Sequence, residues 1–97
     1  MPLTSSQVPR DCTGREIFPG YYIVYPHQIA SSSHLRVARV FDISQVRDHY
    51  RENGWRLKIV FYDEGCLKRS TLQYPERTCV LSPDMVPEDL RDRLIHA

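Results

Sequence analysis

Apolar and polar positions alternate most regularly in residues 55–62, WRLKIVFY. There Trp55, Leu57, Ile59 and Phe61 fall on one side, and Arg56, Lys58, Val60 and Tyr62 on the other. A period of two sustained over eight residues predicts a half-buried β-strand. Asp63, Glu64 and Gly65 then predict a three-residue loop of the turn-plus-bulge type, with glycine available for positive φ. The return strand is CLKRSTLQ, broken by Pro75, and RTCVLS makes a further short strand.

Upstream, Gly20 opens YYIVYP, a β-rich run stopped by Pro26, and HQIASSS over 27–33 reads as a polar loop. The segment HLRVARVFDI is a strand with apolar residues on both sides: Leu35, Val37, Phe41 and Ile43 on one, Ala38 and Val40 on the other. Arg39 interrupts the first side, so a bulge or strong bend is expected near Ala38 and Arg39. Residues 44–54, SQVRDHYRENG, carry two readings. Either Ser44 caps a short helix with Val46 and Tyr50 on one face, or Asn53-Gly54 is a type I′ turn joining HYRE to WRLK. At the C-terminus PEDLRDRLIHA predicts a helix over about 87–96, with Pro87 first, acids in the first turn, and Leu90 and Leu94 as its apolar stripe.

Five short strands and one helix exclude a parallel α/β sheet and are too little chain for a two-sheet sandwich. The expected fold is mainly β: a small antiparallel five-stranded barrel whose C-terminal helix plugs an open end or lies across the sheet. Residues 1–19, rich in Ser, Thr and Pro without apolar periodicity, read as a flexible N-terminal arm, and residues 20–97 as a single domain.

RVARVFDI, then WRLKIVFYDEG, then a strand bearing Lys and Arg, resembles the SH3-like small barrels of the Tudor, chromo and KOW kind. The likeness spans about residues 20–82 and is nearest to Tudor domains, whose central hairpin commonly ends in Phe-x-Asp-Tyr-Gly. Phe61, Tyr62, Asp63, Glu64 and Gly65 stand at those positions, with Glu64 in place of the turn tyrosine. The resemblance implies an SH3-like barrel and a binding role. In Tudor domains an aromatic cage holds methylated Lys or Arg through cation–π attraction, and Tyr22, Tyr25, Trp55 and Tyr62 are the aromatics this chain offers for one. The short length and lack of a catalytic motif are also similar to small bacterial proteins, including those of mobile gene cassettes.

Composition changes this picture little. Charged residues make up 26% of the 97 and hydrophobic residues 41%, which fits a folded globule, and the net charge of +1 selects no partner. Residues 34–82 hold nine Lys or Arg against six acids, a balance of +3, while 83–97 hold two Arg against four acids, a balance of −2. No apolar run approaches the roughly 18 residues of a membrane span, and the opening residues lack a signal-peptide pattern. Three cysteines, Cys12, Cys66 and Cys79, without close spacing suit reduced thiols in a cytoplasmic protein.

Candidate chemistry concentrates on the polar side of the hairpin. Arg36, Arg56, Lys58, Lys68 and Arg69, with Tyr62 among them, supply the cations and the exposed aromatic that nucleic-acid binding requires. The same cations are also what solubility demands of the outer face of an antiparallel sheet. The rival surface is the tyrosine-rich strand: Tyr21 and Tyr25 on one side and Tyr22 on the other would serve a protein partner or a homodimer if one face stood uncovered. The cysteines and histidines lack metal-ligand spacing, no glycine-rich phosphate loop occurs, and Cys66 has no activating signature. Neither a cofactor nor an enzymatic activity is therefore expected.

Overall fold

The computed structural model describes residues 8–29, 32–46 and 54–95. Five strands form one antiparallel sheet: β1 (Tyr22–Ile29), β2 (Ser32–Val46), β3 (Gly54–Asp63), β4 (Cys66–Leu72) and β5 (Cys79–Leu81), in the order β4-β3-β2-β1-β5. One helix, α1 (Glu88–Ile95), ends the described chain. The mainly β architecture with a C-terminal helix is thus as expected. The sheet is not closed into a barrel, since β4 and β5 lie at its two ends.

The outer edge of β5 is already occupied. The N–H of Val80 donates to the Asp11 carboxylate at 2.8 Å, and the carbonyl of Thr78 accepts from Cys12 N–H at 2.8 Å. Those bonds use the groups through which β5 would have to pair with another strand. They also correct the reading of residues 1–19 as a flexible arm. From Val8 onward the segment belongs to the domain: Ile17 is fully buried in the main core, and Pro9 and Asp11 are buried with it. Ile17 and Pro9, eight residues apart, are its buried apolar anchors, which is why no periodicity announced it.

Strand β2 is bent by a register shift. Val40 lies opposite Ile59 and Asp42 opposite Lys58, so Phe41 is an extra residue without a partner on β3. Such a bulge reverses the alternation of side chains. Ala38 and Val40 before it and Ile43 after it consequently join the same core. A bulge or strong bend was expected near Ala38 and Arg39; the bulge lies at Phe41, where the parity of apolar residues breaks.

Both faces of the sheet are partly covered. The first core gathers Ile17, Ile23, Tyr25, Ala38, Val40, Leu57, Ile59 and Phe61, with Ile43, Leu72 and Val80 packed against it. All five strands contribute, so the sheet curls around this cluster. A cleft of about 180 Å³ lined by Tyr25, Pro26, Leu72 and Tyr74 places the middle of β1 beside the end of β4, although two strands separate them in the sheet. On the convex side Tyr22, Val60, Val86 and Leu94 form a second cluster, joined by Val37, Leu81 and Leu90. Helix α1 therefore lies across the sheet, and full burial of Leu94 contributes about 2 kcal/mol.

Three further boundaries differ from expectation. Strand β1 runs through Pro26 to Ile29 and β2 begins at Ser32, where a polar loop was expected over 27–33. Pairing of β1 with β5 ends at Val24, so Pro26 sits where β1 has a partner on one side only, the position in which a missing N–H is tolerated. The hairpin turn is two residues long: Asp63 pairs with Cys66, and Glu64 and Gly65 both have positive φ, 52° and 83°. That is the turn whose twist matches the flanking strands. Finally, Ser44 lies in β2 opposite Arg56, so it caps no helix, and Trp55 lies opposite Gln45, which a two-residue turn at Asn53-Gly54 would forbid. Residues 47–53, on which those readings otherwise fall, lie outside the described residues.

Asp11 yields the clearest stability prediction. Burial alone would raise its carboxyl pKa, but four hydrogen bonds, from Val80 N–H, the Thr13 hydroxyl, Arg15 N–H and Thr13 N–H, outweigh burial and lower it from the ordinary 3.8. A carboxyl depressed by folding contributes stability that is present above its unfolded value and is lost as pH falls through the folded one. Asp11→Asn puts an amide N–H against the Val80 N–H and should cost about 1–3 kcal/mol in urea denaturation at neutral pH. As pH falls below the ordinary 3.8 and on through the lowered folded value, the gap between variant and parent should narrow.

Candidate nucleic-acid interface

The pleat sorts the six cationic and aromatic residues expected to act together onto two faces. Leu57, Ile59 and Phe61 point into the first core, so Arg56, Lys58 and Tyr62 stand on the convex side with Val60. Arg69 pairs with Val60 and shares that side, whereas Lys68 pairs with Phe61 and faces the other way. Arg36 also belongs to the concave side: its guanidinium lies 4.2 Å from the centre of the Phe61 ring. Four of the six are therefore brought together, and Arg36 and Lys68 are not.

Arg36 and Lys68 are held by their own chain. Arg36 reaches Asp63 at 3.7 Å and donates to the Tyr25 hydroxyl at 3.5 Å, and its side chain is only 16% exposed. Lys68 meets Asp63 at 3.5 Å and Glu64 at 3.8 Å. Two cations thus converge on the carboxylate at the hairpin end, leaving little field there for an anionic ligand.

On the convex face Arg39 of β2, Val60 of β3 and Arg69 of β4 lie in one row across three strands, with Tyr22 next in line on β1. One row along, Asp42 faces Lys58 and Lys58 faces Thr71; beyond them Ser44 faces Arg56. Lys58 and Asp42 are 4.0 Å apart and both exposed, a pair of small energetic weight. Arg56 is exposed and has no carboxylate partner among the described residues. Tyr62 is covered: Arg93 of α1 stacks 4.6 Å from its ring centre and donates to its hydroxyl at 3.1 Å.

Phe41 takes the place expected for Tyr62. The bulge exposes its ring, 37% open to solvent, with the Arg69 guanidinium 5.1 Å from the ring centre. Sequence reasoning set Phe41 on one apolar side of β2, with Leu35, Val37 and Ile43. The available signal was the break in apolar parity after Val40, which leaves one aromatic without an inward position.

The tyrosine-rich strand is central, flanked by β2 and β5. Tyr25 is buried in the first core and Tyr22 in the second, while Tyr21 is exposed and meets Phe18 edge-on at 5.5 Å. Among the described residues no group of three His, Cys, Asp or Glu is gathered closely enough to hold a metal ion, and no helix is long and apolar enough to cross a membrane. No protein-family model matches the chain, and neither a curated protein nor a solved structure matches it.

The two sets of cations should respond differently to removal. Arg36→Met strips the ion pair with Asp63 and the stacking on Phe61 and should lower stability by about 1–2 kcal/mol. Lys68→Met, at an exposed pair, should stay within about 0.5 kcal/mol, as paired urea titrations would read.

Proposed function

We propose that the protein is a non-enzymatic module that binds single-stranded nucleic acid across the convex face of β2, β3 and β4. The observation that carries this reading is Phe41, an exposed aromatic ring set by the bulge on the same face as Arg56, Lys58 and Arg69. Phosphates follow a line of cations, and an unpaired base stacks on a flat apolar ring among them. A duplex keeps its bases stacked on one another, so the ring favours a single strand. Thr71 and Ser44, exposed and half-exposed beside these cations, offer hydroxyls to sugar and phosphate.

An SH3-like arrangement of the Tudor kind, its curled sheet left open, remains the fold reading we favour. It is supported by the strand order β4-β3-β2-β1-β5 and by the first core, which all five strands help to build. A methyl-lysine cage fits less well. The aromatics at that end, Tyr25 and Phe61, with Asp63 beside them, already hold the guanidinium of Arg36. Of the described tyrosines in the tyrosine-rich strand only Tyr21 is exposed, with Phe18 beside it, to meet a protein partner or homodimer.

Fluorescence anisotropy with a labelled single-stranded oligonucleotide tests the proposal. Three phosphate contacts predict a log–log salt slope of about −2. Phe41→Leu, which keeps an apolar residue but removes the stacking surface, should weaken binding about tenfold. Charge reversal at both Lys58 and Arg69 should abolish binding, and Lys68→Glu, on the other face, should leave it unchanged. Salt-independent binding, or equal loss with Lys68→Glu, would overturn the reading.

A further inference from the structure

Cys79 is the first residue of β5, and the hydrogen bonds on either side of it point outward to the N-terminal segment. Thr78 accepts from Cys12 N–H at 2.8 Å, and Val80 donates to the Asp11 carboxylate at 2.8 Å. A donor from residue 12 to the carbonyl of 78 is half of the pattern by which a parallel neighbour sits opposite residue 79. The Asp11 side chain supplies the other half in place of a backbone carbonyl. Neighbours in that relation have Cα atoms about 5 Å apart, inside the range of about 4.4–6.8 Å that a disulfide spans.

Both residues are free thiols, Cys12 exposed and Cys79 half-buried. The Cys79 pKa is raised by burial first, and then by the Cys12 thiol and the Asp11 carboxylate beside it. Cys66 lies on β4, at the opposite end of the sheet, and its thiol is turned to the Asp63 carbonyl at 3.6 Å.

We propose that Cys12 and Cys79 form a dithiol–disulfide site that takes a small disulfide of the glutathione class as its oxidant. The exposed Cys12 thiolate attacks one sulfur of the small disulfide, whose S–S bond breaks and releases one small thiolate. The Cys79 thiolate then attacks the Cys12 sulfur, breaks the mixed disulfide and expels the second small thiolate. Two protein thiols are oxidised to one disulfide, one small disulfide is reduced to two thiols, and two protons pass from protein to released thiolates. The bond covalently fastens to β5 the segment that delivers Ile17 to the core, in place of a carboxylate and backbone hydrogen bonds. Three cysteines without sequence spacing thus acquire a pairing through the fold, and a transient, exchangeable one suits a reducing compartment.

The test uses the full chain, reduced, then incubated with oxidised glutathione, quenched by alkylation and read by intact mass and peptide mapping. The expected product carries one alkyl group, on Cys66, and lacks two further hydrogens, with the Cys12 and Cys79 peptides linked. Its melting temperature should exceed that of the reduced protein by at least about 5 °C. Cys66→Ser should give the same product, and Cys12→Ser, at an exposed position, should give none. A glutathione adduct that persists on Cys12, or linkage through Cys66, would overturn the proposal.

Discussion

Between Val40, which faces Ile59, and Asp42, which faces Lys58, strand β2 carries one residue more than β3 can pair. That surplus decides which way every later side chain of β2 points. Without it, the residues after Val40 would keep the earlier alternation, and Ile43 would stand on the face opposite Ala38 and Val40. With it, both halves of a fifteen-residue strand feed one core. The bend at the bulge also lets the sheet curl until the middle of β1 meets the end of β4. The residue displaced by this arrangement is Phe41, and its ring joins the cations of the convex face.

A chain this short must use both faces of its one sheet. The concave side closes over Ile17, delivered by a segment that a buried aspartate ties to β5, and the convex side is partly closed by Leu90 and Leu94 of α1. Neither cluster is large. Stability therefore leans on polar devices at the margins: the four hydrogen bonds of Asp11, and Arg36 locked between Phe61, Tyr25 and Asp63. These devices also sort the cations. Those that brace the concave end are spoken for, while Arg56, Lys58 and Arg69 stand on the convex face, exposed to solvent.

What the sequence made legible follows the strength of its periodicity. Strand β3 was readable because one side packs against the main core: of its expected inward set Trp55, Leu57, Ile59 and Phe61, the last three lie in that core and Trp55 is half-buried. Leu90 and Leu94 were equally readable as the helix stripe. Non-local partners were not readable. Nothing near Pro26 signals that its open side lies past the end of β5, and nothing near Asp11 names Val80, 69 residues away, as its partner. Parity along β3 did separate Arg56 and Lys58 from the core, but Arg36 and Lys68 could be assigned to a face only once the cross-strand register was known. Tyr62 looked exposed because α1, which brings Arg93 over it, lies some thirty residues further on.

The account rests on the bulge, and cross-strand nuclear Overhauser contacts in solution read it directly. The prediction is contact between Val40 and Ile59 and between Asp42 and Lys58, with Phe41 making no backbone contact to β3. An unbroken register, with Phe41 opposite Lys58 and Ile43 opposite Arg56, would return Phe41 to the regular alternation of β2 and contradict both the curvature of the sheet and the surface proposed for binding.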